Sequence, residues 1–119
     1  GAPQLNSRFE KLEQSRRMTG YDWSAWAAVN IIFKSAMKSK SVNFEKIKNY
    51  FTNDNFGFDG FKGPRLSFRT WNNQLRQPIL LSTHNALIKK KPIKGFLHKK
   101  NNLDTLGFDE LESKCNFRL

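Results

Sequence analysis

A chain of 119 residues is the size of one domain, and its 38% apolar content with 11 Phe and 3 Trp is ample for a core. It holds no apolar run of the ~18 residues that a membrane-crossing helix needs. The net charge of +11 would ordinarily point to nucleic acid or an anionic surface, yet its distribution weakens that reading. Lys89, Lys90, Lys91, Lys94, Lys99 and Lys100 cluster without an acid, whereas beyond Asn101 Asp104, Asp109, Glu110 and Glu112 outnumber Lys114 and Arg118, so much of the charge reads as a general Lys- and Asn-rich bias.

Three helices are expected first. From Ala2 to Arg17, Leu5, Phe9 and Leu12 recur at spacings of four and three with Glu10, Lys11 and Glu13 between them, the mark of an amphipathic helix with a narrow apolar stripe. Thr19 with Asp22 three residues on forms a capping box that opens a second helix over Tyr21 to Lys40. Trp23, Trp26, Ala27, Ile31 and Phe33 lie near its middle, and Ala25, Ala27, Ala28 and Ala36 keep part of its surface thin enough for close approach to a sheet or helix. This is the best core element, and both indoles are expected to be largely buried. Asn43 caps a third helix, Phe44 to Phe51, with Phe44, Ile47 and Phe51 on one face and Glu45, Lys46 and Lys48 on the other.

Strands follow. Phe56, Phe58 and Phe61 lead through Gly57, Gly60 and Gly63 into Pro64, and Arg65 to Arg69 then alternates polar with apolar residues. Trp71-Asn72-Asn73-Gln74 is a turn. Ile79-Leu80-Leu81 is a buried-looking strand, His84-Asn85 a second turn, and Ala86-Leu87-Ile88 runs into Lys89-Lys90-Lys91, a solvated edge. The hairpin strands should centre near Ser67 and Leu80, or near Leu80 and Leu87. After Pro92, Gly95-Phe96-Leu97-His98 and Leu103 to Phe108 are isolated apolar pairs in a polar tail with a fraying end. The division is therefore 1–92 for helices and hairpin and 93–119 for an extended strap.

Catalytic chemistry is hard to find. His84 and His98 have no nucleophile or carboxylate at diagnostic spacing, and no Gly-rich phosphate loop follows a strand. Cys115 is alone, so no internal disulfide or zinc site can form; it is either a free thiol or half of a bridge to a segment outside the chain. Arg65, Phe68, Arg69, Trp71 and Arg76 interleave as a single-strand stacking platform would, or as arginine stems laid over aromatic faces across a hairpin. The site candidates are Trp71, Gln74, Arg76 and Gln77. Trp and Arg suit desolvated contacts, and two Gln beside them supply hydrogen-bond donors to a polar partner. The competing reading has Trp71 capping the hairpin core and Arg76 pairing with an acid such as Asp59.

The opening Gly-Ala-Pro-Gln-Leu-Asn-Ser-Arg-Phe-Glu, Met18 to Trp26, Leu66 to Leu81 with its W-x-x-Q-L-R-Q-P block, Gly95 to His98, Leu103 to Gly107 and Glu112 to Cys115 together carry a resemblance. The chain resembles the type I periplasmic substrate-binding proteins of ABC transporters, in the group associated with pyrroloquinoline-quinone-dependent alcohol dehydrogenase systems. The resemblance implies an α/β fold, here a partial C-terminal lobe of three helices, a β-hairpin and an extended tail. It also implies a non-catalytic, cofactor-free, periplasmic transport component linked to alcohol oxidation. Its partners would be a small solute, the missing N-terminal lobe of the same protein, and an ABC permease or periplasmic dehydrogenase. A small basic nucleic-acid-binding module built on Arg65, Arg69, Trp71, Arg76 and the lysine strand is the alternative function.

Overall fold

The computed structural model describes residues 1–14, 16–84, 86–95 and 97–116. Asn85, Phe96 and residues 117–119, on which a turn, an apolar pair and the chain end were expected, lie outside the described residues.

Helix α1 spans Ala2–Leu12 and stops five residues short of the expected Arg17, because Gln14 takes a left-handed φ of 52° that ends the helical run. Helix α2 spans Gly20–Ser39 and starts as the sequence dictates: Thr19 Oγ1 accepts from Asp22 N, and the Asp22 carboxylate accepts from Thr19 N at 2.8 Å. Arg16 clamps the same carboxylate through Nη1 at 2.8 Å. That hydrogen bond, joined by those from Thr19, holds the Asp22 carboxyl well below the usual carboxylate range. Helix α3 spans Phe44–Phe51, with Asn43 accepting from Lys46 N at its start.

Two hairpins follow where one was expected. Strands β1 (Ser67–Phe68) and β2 (Leu75–Arg76) pair antiparallel, Ser67 opposite Arg76 and Phe68 opposite Leu75. The connection turns at Asn73, whose φ of 57° is the left-handed conformation that Asn tolerates well. Strands β3 (Ile79–Ser82) and β4 (Leu87–Lys91) form the second hairpin, Leu80 opposite Lys90, with an irregularity between Leu81 and Ser82. Leu80 and Leu87 therefore belong to one hairpin, and Ser67 belongs to the other. Among the described residues the fold is mixed α/β, with three α-helices and two small antiparallel sheets.

The core lies between α2 and the first hairpin. Ala27 and Ile31 of α2 meet Phe58, Leu66 and Leu103, and Trp23, Trp26, Phe51, Phe56, Phe68 and Leu75 pack around them. Phe58 and Leu66 bridge through paired backbone hydrogen bonds of 2.8 Å, which explains the alternation seen there. The indoles of Trp23 and Trp26 roof this core and are more covered than exposed. Trp23 Nε1 donates to Gly60 O at 2.9 Å, and any Cβ at Gly60 would stand 2.7 Å from that indole, so only glycine allows the approach. Trp26 stacks on Phe61 with centroids 5.4 Å apart.

Two expectations fail. Ile79, Leu80 and Leu81 are 57, 42 and 50% exposed, because no layer of the described residues covers either face of the β3–β4 ribbon. The segment after Pro92 is not a plain strap: it makes 3-10 turns at Asn102–Thr105 and Glu110–Glu112 and sends Leu103 into the core.

Candidate functional site

The turn between β1 and β2 places Arg69 and Trp71 on one side of the hairpin, and antiparallel pairing brings Arg76 back beside Ser67. Both arginines converge on Asp104 from the C-terminal 3-10 turn. Arg69 Nε donates to Asp104 Oδ1 at 2.8 Å, and Arg76 Nε donates to both carboxylate oxygens at 2.9 and 3.0 Å. The Asp104 side chain is 1% exposed, and those of Arg69 and Arg76 are 10% and 13% exposed. Further donors are used as well: Arg69 Nη2 reaches Leu103 O and Leu106 O, and Arg76 Nη1 reaches Phe68 O and Ser67 Oγ.

Burial alone would push the Asp104 carboxyl up. The hydrogen bonds and charges of Arg76 and Arg69 together outweigh it and hold the group below its ordinary range. The triad thus stays charged and satisfied in a dry setting, the condition under which buried ions are tolerated.

Trp71 is 7% exposed, and its ring lies close to both guanidinium groups, 5.5 Å from Arg69 and 5.3 Å from Arg76. Stacked arginine over aromatic is therefore the arrangement this block adopts. The Trp71 Nε1 donor is buried with no acceptor among the described residues. The pairing of Arg76 with Asp59 does not form; Asp59 instead accepts from Phe61 N.

The two glutamines are exposed, Gln74 at the edge of this cluster and Gln77 outside it. Gln74 Oε1 accepts from Arg69 Nη1 at 3.2 Å and lines a cleft of about 560 Å³ with Asn72, Phe108, Glu112 and Lys114. Gln77 Oε1 accepts from Lys62 Nζ at 2.6 Å on the opposite flank, where the ammonium also lies 3.4 Å over the Trp23 ring. Burial against that ring pushes the Lys62 ammonium down from its ordinary value. The structure thus joins Trp71 to Arg76 and separates Gln74 from Gln77. Asp104, the centre of the arrangement, escaped sequence reasoning. The signal was an acid flanked by Leu103 and Leu106 in a strongly basic chain, just after Asn101, whose Oδ1 accepts from Leu103 N.

His98 fastens the C-terminal segment. Its Nδ1 accepts from Lys100 N at 3.2 Å, and its Nε2 lies 3.3 Å from Asp109 Oδ2. Acceptance from Glu110 N, followed by the His98 contact, holds the Asp109 carboxyl down despite partial burial. Among the described residues no group of three His, Cys, Asp or Glu side chains could hold a metal ion, and no helix is long and apolar enough to cross a membrane. Cys115 is a free, exposed thiol. No family model, no curated protein and no solved structure matches the chain.

Proposed function

We propose that the chain is the C-terminal part of a non-catalytic solute-binding component of an ABC transport or sensing system linked to alcohol oxidation, working in the periplasm as part of a type I binding-protein lobe. The resemblance running along nearly the whole chain suggests it. The observation that carries it is uncovered surface. A folded monomer of this mass exposes about 6,700 Å², and this chain exposes 9316 Å². Its radius of gyration is 16.1 Å, against about 13.5 Å for a compact domain of this length. Such a surplus fits a chain that is one part of a larger lobe.

The nucleic-acid alternative loses its main donors. Arg69 and Arg76 are spent on Asp104 and the Trp71 ring is buried beside them, so neither phosphate contact nor base stacking is open to that trio.

The test uses the complete product of the reading frame that contains this chain. In a thermal-shift panel of short alcohols, aldehydes and carboxylates, at least one solute should raise the melting temperature in a concentration-dependent manner. No response to any solute, together with salt-sensitive binding of a fluorescent oligonucleotide, would replace this reading with the alternative.

A further inference from the structure

The β3–β4 ribbon contributes nothing to the core, and it combines two kinds of exposed side chain. Ile79, Leu80 and Leu81 on β3 and Leu87 and Ile88 on β4 are all exposed aliphatics. Lys89, Lys90 and Lys91 follow them, then exposed Ile93 and Lys94, and residues 79–95 hold no Asp or Glu. None of these four ammonium groups has a carboxylate partner among the described residues. The register mixes the two kinds on each face, because residues directly opposite in an antiparallel pair point to the same side. Ile79 stands opposite Lys91 and Leu81 opposite Lys89 on one face, and Leu80 opposite Lys90 on the other. Lys90 Nζ lies 3.1 Å from where a Cβ on Gly63 would stand, so the Leu80 and Lys90 face turns toward the body of the protein. The face that carries Ile79, Leu81, Lys89 and Lys91 looks outward.

We infer that this ribbon binds the surface of an anionic lipid bilayer, with its aliphatic side chains in the boundary between headgroups and acyl chains and its lysines on the lipid phosphates. Charge complementarity and apolar exposure together select that partner. A row of unpaired lysines with no acid among them complements a negative surface, where each lysine strengthens binding roughly fivefold. The Ile and Leu side chains between those lysines gain by leaving water, and an acyl boundary receives them where a layer of phosphates alone does not. The long lysine stem lets each ammonium reach the phosphates while its aliphatic neighbour sits deeper. Nucleic acid offers the same phosphates without an apolar layer, and residues 79–95 carry no Arg, Phe, Tyr or Trp with which to read or stack a base. A second copy would set one lysine row against another. The strands, of four and five residues, lie on the membrane and do not cross it, since a spanning strand needs about 9–11 residues.

The experiment floats the 119-residue chain with vesicles of phosphatidylcholine alone or mixed with phosphatidylglycerol. The chain should rise with the mixed vesicles in a salt-sensitive manner and not with phosphatidylcholine alone. Lys89→Gln with Lys91→Gln should weaken binding by about tenfold or more, and Leu81→Gln with Ile88→Gln should weaken it several-fold. Lys11→Gln with Lys38→Gln removes the same charge from exposed helix positions and should weaken binding by about twofold or less. Far-UV circular dichroism checks that each variant keeps its helices. Carbene footprinting reads the same point without mutation: residues 79–84 and 87–91 of the unsubstituted chain should be protected by the mixed vesicles. An unprotected ribbon would overturn the inference, as would equal losses from the two lysine pairs, which would leave net charge alone as the cause. Undiminished flotation of the Leu81 and Ile88 variant would overturn it too. Binding of a fluorescent oligonucleotide that the Lys89 and Lys91 pair weakens, without flotation, would give the ribbon to nucleic acid instead. A dimer in light scattering that the Leu81 and Ile88 pair disperses, again without flotation, would give it to a second copy.

Discussion

Replacing Asp104 by Asn tests the buried triad most directly. The substitution keeps the shape of the side chain and removes its charge. Two guanidinium groups, 10% and 13% exposed, are then left close together with no anion between them. Removing one partner of a buried ion pair costs about 3–5 kcal/mol. The lower end is expected here, because Arg69 keeps Leu103 O and Leu106 O and Arg76 keeps Phe68 O and Ser67 Oγ. The loss should appear as a lower urea midpoint followed by circular dichroism, with earlier proteolysis after Leu106 as the C-terminal segment lets go of the hairpin. The triple change Arg69→Met, Asp104→Leu, Arg76→Met should recover much of the loss, since no charge is then left unpaired. The pH dependence has a fixed sign. The folded carboxyl titrates below its unfolded value, so its contribution is complete above about pH 4 and disappears as pH falls through the lower folded value. An Asp104→Asn unfolding free energy within about 0.5 kcal/mol of the original would show that the triad does not hold the tail, and would refute the reasoning.

Trp71→Ala empties a buried site beside two cations and should cost about 3–5 kcal/mol, whereas Gln74→Ala and Gln77→Ala, at exposed positions, should change the melting temperature little and lower solute affinity in the complete product if they face the ligand. Calorimetry on the three variants separates the two roles, and an unchanged melting temperature for Trp71→Ala would contradict its placement. Thr19→Ala removes the α2 cap and should cost about 1 kcal/mol, read by chemical denaturation; a neutral result would mean that Arg16 and Asp22 hold the helix start without it. Cys115 should react with an aromatic disulfide reagent in the native protein as fast as a free thiol does, because it is exposed; slow labelling that accelerates on unfolding would show it to be covered.

The sequence by itself determined the elements whose causes are local. Thr19 with Asp22 and Asn43 with Lys46 set two helix starts through side chains that reach only three residues ahead. The Trp71 to Gln74 turn and the pairing of the Ile79 and Lys89 runs follow from alternation and turn chemistry, which are also short-range. Burial was decided elsewhere. The run Ile79-Leu80-Leu81 has the composition of a core strand, but burial requires a second layer, and none of the described residues provides one. Trp23 and Trp26 look like core residues by period and size, and they do pack over Phe58, Leu66 and Leu103, more covered than exposed. The partner of Arg76 could not be read from spacing, since Asp59 and Asp104 are equally plausible acids along the chain. Only the folding of the tail across the hairpin, led by Leu103 into the core, brings the Asp104 carboxylate 28 positions away within 2.9 Å of that guanidinium. Such long-range ion pairing depends on where the whole chain closes, and that is a property of the tertiary fold alone.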